Sequence, residues 1–255
     1  MNVRDKRIDP IYFLVAGLVL VSIFKTVSAG YCSFFDNGFS INCLEPFIAI
    51  ANTWEIIPLT IAGTIFNTIM FKRKGDVRRN QWDMFSHFVY SGLFVVVIII
   101  LLFLFVIPVA YVGRKWSFSC IKNRIGIPVY LYTQKTPVVS FVYSILLVYA
   151  LINMFSLVVK FCTIINKRTY GITMIAIISA LNIYSCYKGY VWKWILPLSN
   201  ANLAEHYEAI YIGSVFPLWY SFLYFGFICL LITCLVQGHK HKVTKETSNE
   251  QEKIN

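Results

Sequence analysis

Five cations fall within eight residues at Lys72-Arg73-Lys74-Gly75-Asp76-Val77-Arg78-Arg79, between apolar stretches over 56–71 and 84–111. Charge at that density cannot be held in hydrocarbon, so this hairpin lies in water beside whatever the two flanking stretches enter. The excess of Lys and Arg in short loops on the cytoplasmic side of membrane proteins assigns it to that side. One such turn sets the direction of both neighbouring helices, and through them of the whole chain.

Composition agrees with this reading. Only 14% of the 255 residues are charged against 58% hydrophobic, where a soluble domain carries about a quarter charged residues. Several apolar runs approach the roughly 20 residues that a helix needs to cross a bilayer. The expected fold is therefore all-α: a polytopic membrane protein with six transmembrane helices and both termini cytoplasmic. The spans are expected at 11–28, 47–71, 84–111, 138–165, 170–187 and 217–236, forming one membrane domain over 1–238. A disordered basic tail over 239–255 follows, rich in Lys and His. Most of the 23 Lys and Arg then fall on the cytoplasmic side. In a soluble protein a net charge of +11 would suggest nucleic acid. Here the cations flank apolar runs, so topology and anionic lipid headgroups account for them, and no nucleic-acid partner is expected. Val27-Ser28-Ala29 resembles a signal-cleavage site, although an uncleaved first span fits better because further hydrophobic helices follow.

The segment over 188–216 is too long and too mixed for a simple loop. It holds Trp192, Trp194 and Pro197 with an apolar patch and the acids Glu205 and Glu208, which suits a re-entrant or interfacial segment on the outer side before the last span. Cys32 and Cys43 bracket a short polar stretch without Lys or Arg. An extracytoplasmic location would permit a disulfide between them, with free thiols the alternative.

Chemistry is sparse. The sequence has no Gly-x-x-x-x-Gly-Lys phosphate loop, no His-Glu-x-x-His metal motif and no Gly-x-Ser-x-Gly nucleophile turn, so neither catalysis nor a metal or other cofactor is expected. Asp83 and His87, four apart, share a helix face, as a carboxylate orienting an imidazole would; a solvated pair at the inner interface is the simpler account. Glu55 is the only acid near the apolar half of a span, and an intramembrane carboxylate is a functional candidate by default; the alternative places it at the outer surface beside Trp54. Asn67, Asn153 and Asn182 are expected to join helices by hydrogen bonds, and Pro58 and Pro108 to kink their spans. With no charge near the midplane, energy for any transport would have to come from another chain.

Four features together resemble the membrane subunits of type-2 ABC transporters, the small six-span permeases of low-GC Gram-positive bacteria. A proline-containing second span leads into the basic loop and then Trp82. A very short basic turn, Asn166-Lys167-Arg168, joins spans four and five. The apolar outer segment with Trp192, Trp194 and Leu196-Pro197-Leu198 precedes the last span. That span opens Phe216-Pro217-Leu218-Trp219-Tyr220-Ser221-Phe222-Leu223-Tyr224. The short N-terminus departs from the pattern, leaving little room for the amphipathic elbow helix of larger members. The resemblance implies an exporter subunit in a bacterial plasma membrane, paired as a homodimer or heterodimer and driven by a separate ABC ATPase. Its cargo would be a peptide, an antimicrobial or a lipid. It further implies that Lys72, Arg73, Lys74, Arg78, Arg79 and Trp82 form the ATPase-coupling loop, with Lys167 and Arg168 as a second contact. Trp192, Trp194 and Pro197 would belong to an outer gate. The competing expectation is a non-transporting membrane protein, such as a bacteriocin immunity protein or a sensor partner.

Overall fold

In a computed structural model that describes residues 10–38, 40–72, 82–111, 136–164, 168–189, 191–206 and 217–254, the architecture is set by one helix enclosed by the others. The elements in chain order are α1 (Pro10–Asn37), β1 (Ile41–Asn42), α2 (Glu45–Ala51), α3 (Ile56–Lys72), α4 (Trp82–Val106) and β2 (Ala110–Tyr111). They continue with α5 (Pro137–Ile164), α6 (Arg168–Lys188), a 3-10 segment (Val191–Ile195), α7 (Pro197–Ala201) and α8 (Leu218–Ile254). A further helical turn covers 203–206.

The enclosed helix is α5, which packs against α2, α3, α4, α6, α7 and α8. Of its apolar window 61% is buried, against 22–33% for the other four long apolar helices. Leu147, Val148, Leu151, Ile152 and Phe155 are wholly buried and form one broad apolar stripe at helical spacing. The outer helices instead show large apolar side chains to the exterior: Val96, Ile100 and Leu104 on α4, and Leu223, Phe227 and Leu230 on α8. A belt of that kind would be costly in water and is what hydrocarbon-facing helices present. Among the described residues five helices, α1, α4, α5, α6 and the first part of α8, are long and apolar enough to cross a membrane.

The expected span over 47–71 is not one helix. It is α2 and α3, bent by 89° at the intervening residues, and the pair counts as a sixth span only if taken together. The cause is local. Asn52 ends α2, its own N–H bonding the Ala49 and Ile48 carbonyls and its side-chain amide donating to Ile48 O at 2.7 Å. Pro58, lacking an N–H, then sits in the first turn of α3, where no donor is needed. Pro108 likewise ends its helix rather than kinking it: α4 stops at Val106, and a turn leads into β2. There β1 and β2 form a two-residue parallel pair, Ile41 opposite Ala110 and Asn42 opposite Tyr111.

Helices α1 and α6 end in glycines with left-handed backbone, Gly38 (φ 68°) and Gly189 (φ 67°), which suits the one residue without a Cβ penalty. Helix α1 runs past the expected 28 to Asn37, held against α4 by Tyr31 Oη donating to Phe105 O at 3.0 Å. Helix α8 continues as helix through Ile254, so the expected disordered tail is helical. Beyond Gly238 its sequence contains no Gly or Pro and is rich in Lys and Glu, and a turn added to an existing helix escapes the nucleation cost. Cys32 and Cys43 are free thiols, the second of the two alternatives the sequence left open. Cys32 is exposed near the end of α1, whereas Cys43 is tucked beside Asn42, its Sγ 3.7 Å from Oδ1. Burial pushes the Cys43 thiol above its ordinary value, partly offset by a backbone hydrogen bond.

Cross-links between helices show which ends lie together. Asn52 on the α2 end reaches Ser144 and Asn67 reaches Ser156, so α3 and α5 run the same way. Tyr143 packs on Phe222, and Leu157 lies with Ile232 and Val236, so α8 runs parallel to both. Helix α4 runs opposite, with Asn67 bonded to the His87 carbonyl. The end of α3 at Lys72, the starts of α4 and α6 at Trp82 and Arg168, and Gly238 of α8 therefore lie at one end of the bundle, hereafter the basic end. The strand pair, α2, the 3-10 segment and α7 lie at the other.

Close approach of α5 and α6 depends on Gly171, where a Cβ would lie 3.1 Å from both Val159 Cα and Cys162 Cβ. Backbone cannot yield as a side-chain tip can, so Gly171→Ala is expected to lower stability by about 1–3 kcal/mol. Gly17 has nothing within 4 Å of a built Cβ, and Gly17→Ala should instead stabilise, by up to about 1 kcal/mol of helix propensity. Thermal unfolding of the two variants in detergent checks the opposite signs.

Candidate functional site

Polar residues inside the bundle gather into two groups. The first lies among α3, α4 and α5 toward the basic end. Asn67, fully buried, places Nδ2 at 2.7 Å from Ser91 Oγ, 3.2 Å from Ser156 Oγ and 3.1 Å from the His87 carbonyl. Its Oδ1 lies 3.0 Å from His87 Nδ1. One amide thus joins three helices, as expected of Asn67. His87 is engaged by an asparagine from another helix, and the Asp83 side chain lies outside the described residues. Such interhelical bonds contribute roughly 0.6 kcal/mol each. They define register more than they add stability.

The second group is larger and builds the opposite end. Residues 191–206, between α6 and α8, fold inward: every residue of α7 is buried, as are Trp194, Leu203, Ala204 and His206. This segment breaks its helix repeatedly, so many backbone groups lack helical partners, and buried ones must find others. Asparagines supply them. Asn182 on α6 accepts from Leu198 N–H at 3.0 Å and Ser199 N–H at 3.1 Å. It donates to Ser199 Oγ at 2.8 Å and Cys186 Sγ at 3.3 Å, filling all four bonds of its amide. Asn200 donates to the Trp194 and Leu196 carbonyls at 2.7 and 3.0 Å. Asn202 caps the turn over 203–206, accepting from Ala204 and Glu205 N–H, and donates to Asn52 O. Asn52 accepts from Ala204 N–H at 3.0 Å and donates to Ser144 Oγ at 3.2 Å. Lys193 and Glu205 form an ion pair across the segment, and Tyr224 of α8 donates to Ile195 O at 2.7 Å.

Within this cap His206 Nε2 lies 2.8 Å from Ser221 Oγ, with the imidazole against the Trp194 ring at 4.9 Å between centroids. A buried Ser–His contact raises the question of a nucleophile, and proton accounting answers it. Asn200 Nδ2 is committed to two carbonyls, so its Oδ1 faces Ser221 and can only accept. The single Ser221 hydroxyl proton goes to that oxygen, at 3.0 Å. His206 must then donate through Nε2–H, with Asn200 O a second acceptor at 3.5 Å. An activated serine needs the reverse, Oγ–H directed at a bare imidazole nitrogen. This pair braces α8 against the cap.

Compared with protein-family models, with curated proteins and with solved structures, the chain matches none. Chemistry must then be read from the side chains alone. Among the described residues no three His, Cys, Asp or Glu side chains gather as a metal site would need.

The expected site residues divide as follows. Arg73, Lys74, Arg78, Arg79 and Lys167 lie outside the described residues, while Lys72, Trp82 and Arg168 stand at helix ends that share the basic end. Trp194 and Pro197 are buried in the cap and Trp192 is partly exposed, so the three do not form one surface. Glu55 is 1% exposed, and Lys25 Nζ reaches its Oε1 at 2.6 Å. Asn153 bonds only its own helix, at Tyr149 O, and so does not join helices through a described contact. Sequence reasoning missed Asn52, Asn200, Asn202 and His206, all of them central to the cap. The run Leu198-Ser199-Asn200-Ala201-Asn202 was their signal: amides in an apolar setting mark where a helix is interrupted.

Replacing Asn182 with Ala would strip both buried N–H groups of Leu198 and Ser199 of their acceptor, an expected loss of about 2–4 kcal/mol. Asn153→Leu, which removes an amide oxygen without a partner among the described residues, should be near neutral. Thermal unfolding distinguishes them. For Ser221, a fluorophosphonate probe followed by mass spectrometry is expected to find no adduct; an adduct would show an activated nucleophile.

Proposed function

We propose that the chain is the membrane-spanning permease subunit of an ATP-binding cassette exporter in a bacterial plasma membrane. It acts as a dimer and is driven by a separate ATPase. In this reading α2 and α3 together form the second of six spans, and both termini are cytoplasmic. The observation that carries it is the division of labour between the two ends of the bundle. The stretches flanked by Lys72, Trp82 and Arg168 all leave from one end, and the cap of interrupted helices between α6 and α8 occupies the other. Short charged turns on rigid helices suit the transfer of a rigid-body movement from an attached motor. A cap braced to α5, α6 and α8 would follow that movement at the far side. Cargo would be a peptide, an antimicrobial or a lipid.

Purification of the tagged chain from its native membrane in mild detergent, with ATPase activity measured in the eluate, tests this. A stoichiometric nucleotide-hydrolysing partner is expected. Its association should fall at least tenfold when Lys72, Arg73, Arg78 and Arg79 are replaced by Ala. A chain that elutes alone and without activity would overturn the proposal in favour of a non-transporting membrane immunity or sensor protein.

A further inference from the structure

Glu55 lies in the break between α2 and α3 and is 1% exposed. An ionised carboxylate can accept about four hydrogen bonds, and a buried one is costly unless those are made. Here compensation is thin. Lys25 Nζ stands 2.6 Å from Oε1, yet neither Glu55 oxygen accepts a directed hydrogen bond from any described residue. The cation comes from the exterior, since the Lys25 side chain is 57% exposed. The same ammonium lies 5.3 Å from the centre of the Trp54 ring, which is itself 57% exposed. A buried carboxylate beneath an open indole face is a receptor for an ammonium group. Lys25 fills it by reaching across from another helix on a flexible stem, and does so with imperfect geometry.

The surroundings say what else could fill it. On α1, Val21 lies one turn before Lys25 and Leu14 seven residues before Val21, on the same stripe, and both are exposed. An apolar tail could lie along that stripe with a charged head at Glu55, repeating the path of the Lys25 stem. We propose that Glu55 and Trp54 form a binding site for the primary ammonium head of an amphiphile, which Lys25 occupies until such a ligand displaces it. A primary ammonium brings three N–H donors that can serve both carboxylate oxygens, whereas a quaternary one brings none. Two sources share this chemistry, a phosphatidylethanolamine headgroup and a soluble amine with an alkyl or peptide tail. Binding requires no transport, so the site is tested independently of the permease reading.

The test uses the full chain in phosphatidylcholine nanodiscs, with thermal unfolding as readout. Lys25→Ala should lower Tm, and n-hexylammonium should restore it, while hexanol and hexyltrimethylammonium should not. The variant Lys25→Ala/Glu55→Gln should not respond to the amine. In wild type, where Lys25 competes, the amine concentration for half-maximal effect should be at least tenfold higher. Restoration in phosphatidylethanolamine nanodiscs without added amine would assign the ligand to lipid; restoration by the amine alone would assign a soluble amphiphile. Equal rescue by the trimethyl compound, no rescue, or an equal response of the double variant would overturn the proposal. If Lys25→Ala yields no folded protein, Lys25→Gln carries the same comparison. A wild-type response no greater than that of Glu55→Gln is then the overturning result.

Discussion

A backbone group buried away from water must be hydrogen-bonded, and this structure depends on how it meets that demand where its helices break. Long helices satisfy themselves, so α1, α4, α5, α6 and the first part of α8 can expose apolar side chains along their length. The 89° turn at Asn52 and the short helices between α6 and α8 cannot. Their loose N–H and C=O groups are taken up by the amides of Asn52, Asn182, Asn200 and Asn202. Asparagine suits this because one short side chain carries both donors and acceptors without a charge to desolvate. The contrast with Glu55 is instructive: among the described residues this carboxylate, at a similar break, is met by the exposed Lys25.

Those amides also join distant parts of the chain. Asn52 meets Ala204 and Ser144, so the bend between α2 and α3, the central helix and the cap are one hydrogen-bonded unit. At the other end Asn67 does the same for α3, α4 and α5. Between these two polar groups α5 packs through Leu147, Leu151 and Ile152, and Tyr149 Oη donates to Phe88 O of α4 at 3.2 Å. Directional bonds set register toward both ends, and apolar packing fills the space between. Packed interiors move as blocks rather than bending continuously, and a displacement at the basic end would therefore reach the cap as a shift of whole helices.

The His206–Ser221 contact shows how little proximity says about chemistry. Distance alone would permit a catalytic pair; the hydrogen bond from Ser221 to Asn200 instead directs the serine hydrogen away from the imidazole. Partner exposure likewise separates the two ion pairs found among the described residues. Lys193 and Glu205 are both largely enclosed and brace the cap, whereas Lys25 is exposed and Glu55 is not. Only the second pair has one partner that can leave into its surroundings while the other stays fixed.

From the residues alone came the helical class, most of the apolar spans and the irregular segment before the last span. These depend on local composition and on the length of apolar runs, which a chain carries wherever it folds. Asn67 and Asn182 were also legible as joining residues, because a polar amide within a span has few other uses. Tertiary structure decided the rest. That Asn52 would turn a single span into two helices depended on Ser144 accepting from its side-chain amide and Ala204 N–H donating to it. Whether Cys32 met Cys43 depended on how far α1 extended. Glu55 could be read as surface or interior until Lys25, thirty residues earlier, was brought against it. The physical reason is common to all three: hydrogen bonds and charges are settled by partners distant in sequence, and only the packing of helices around α5 selects those partners.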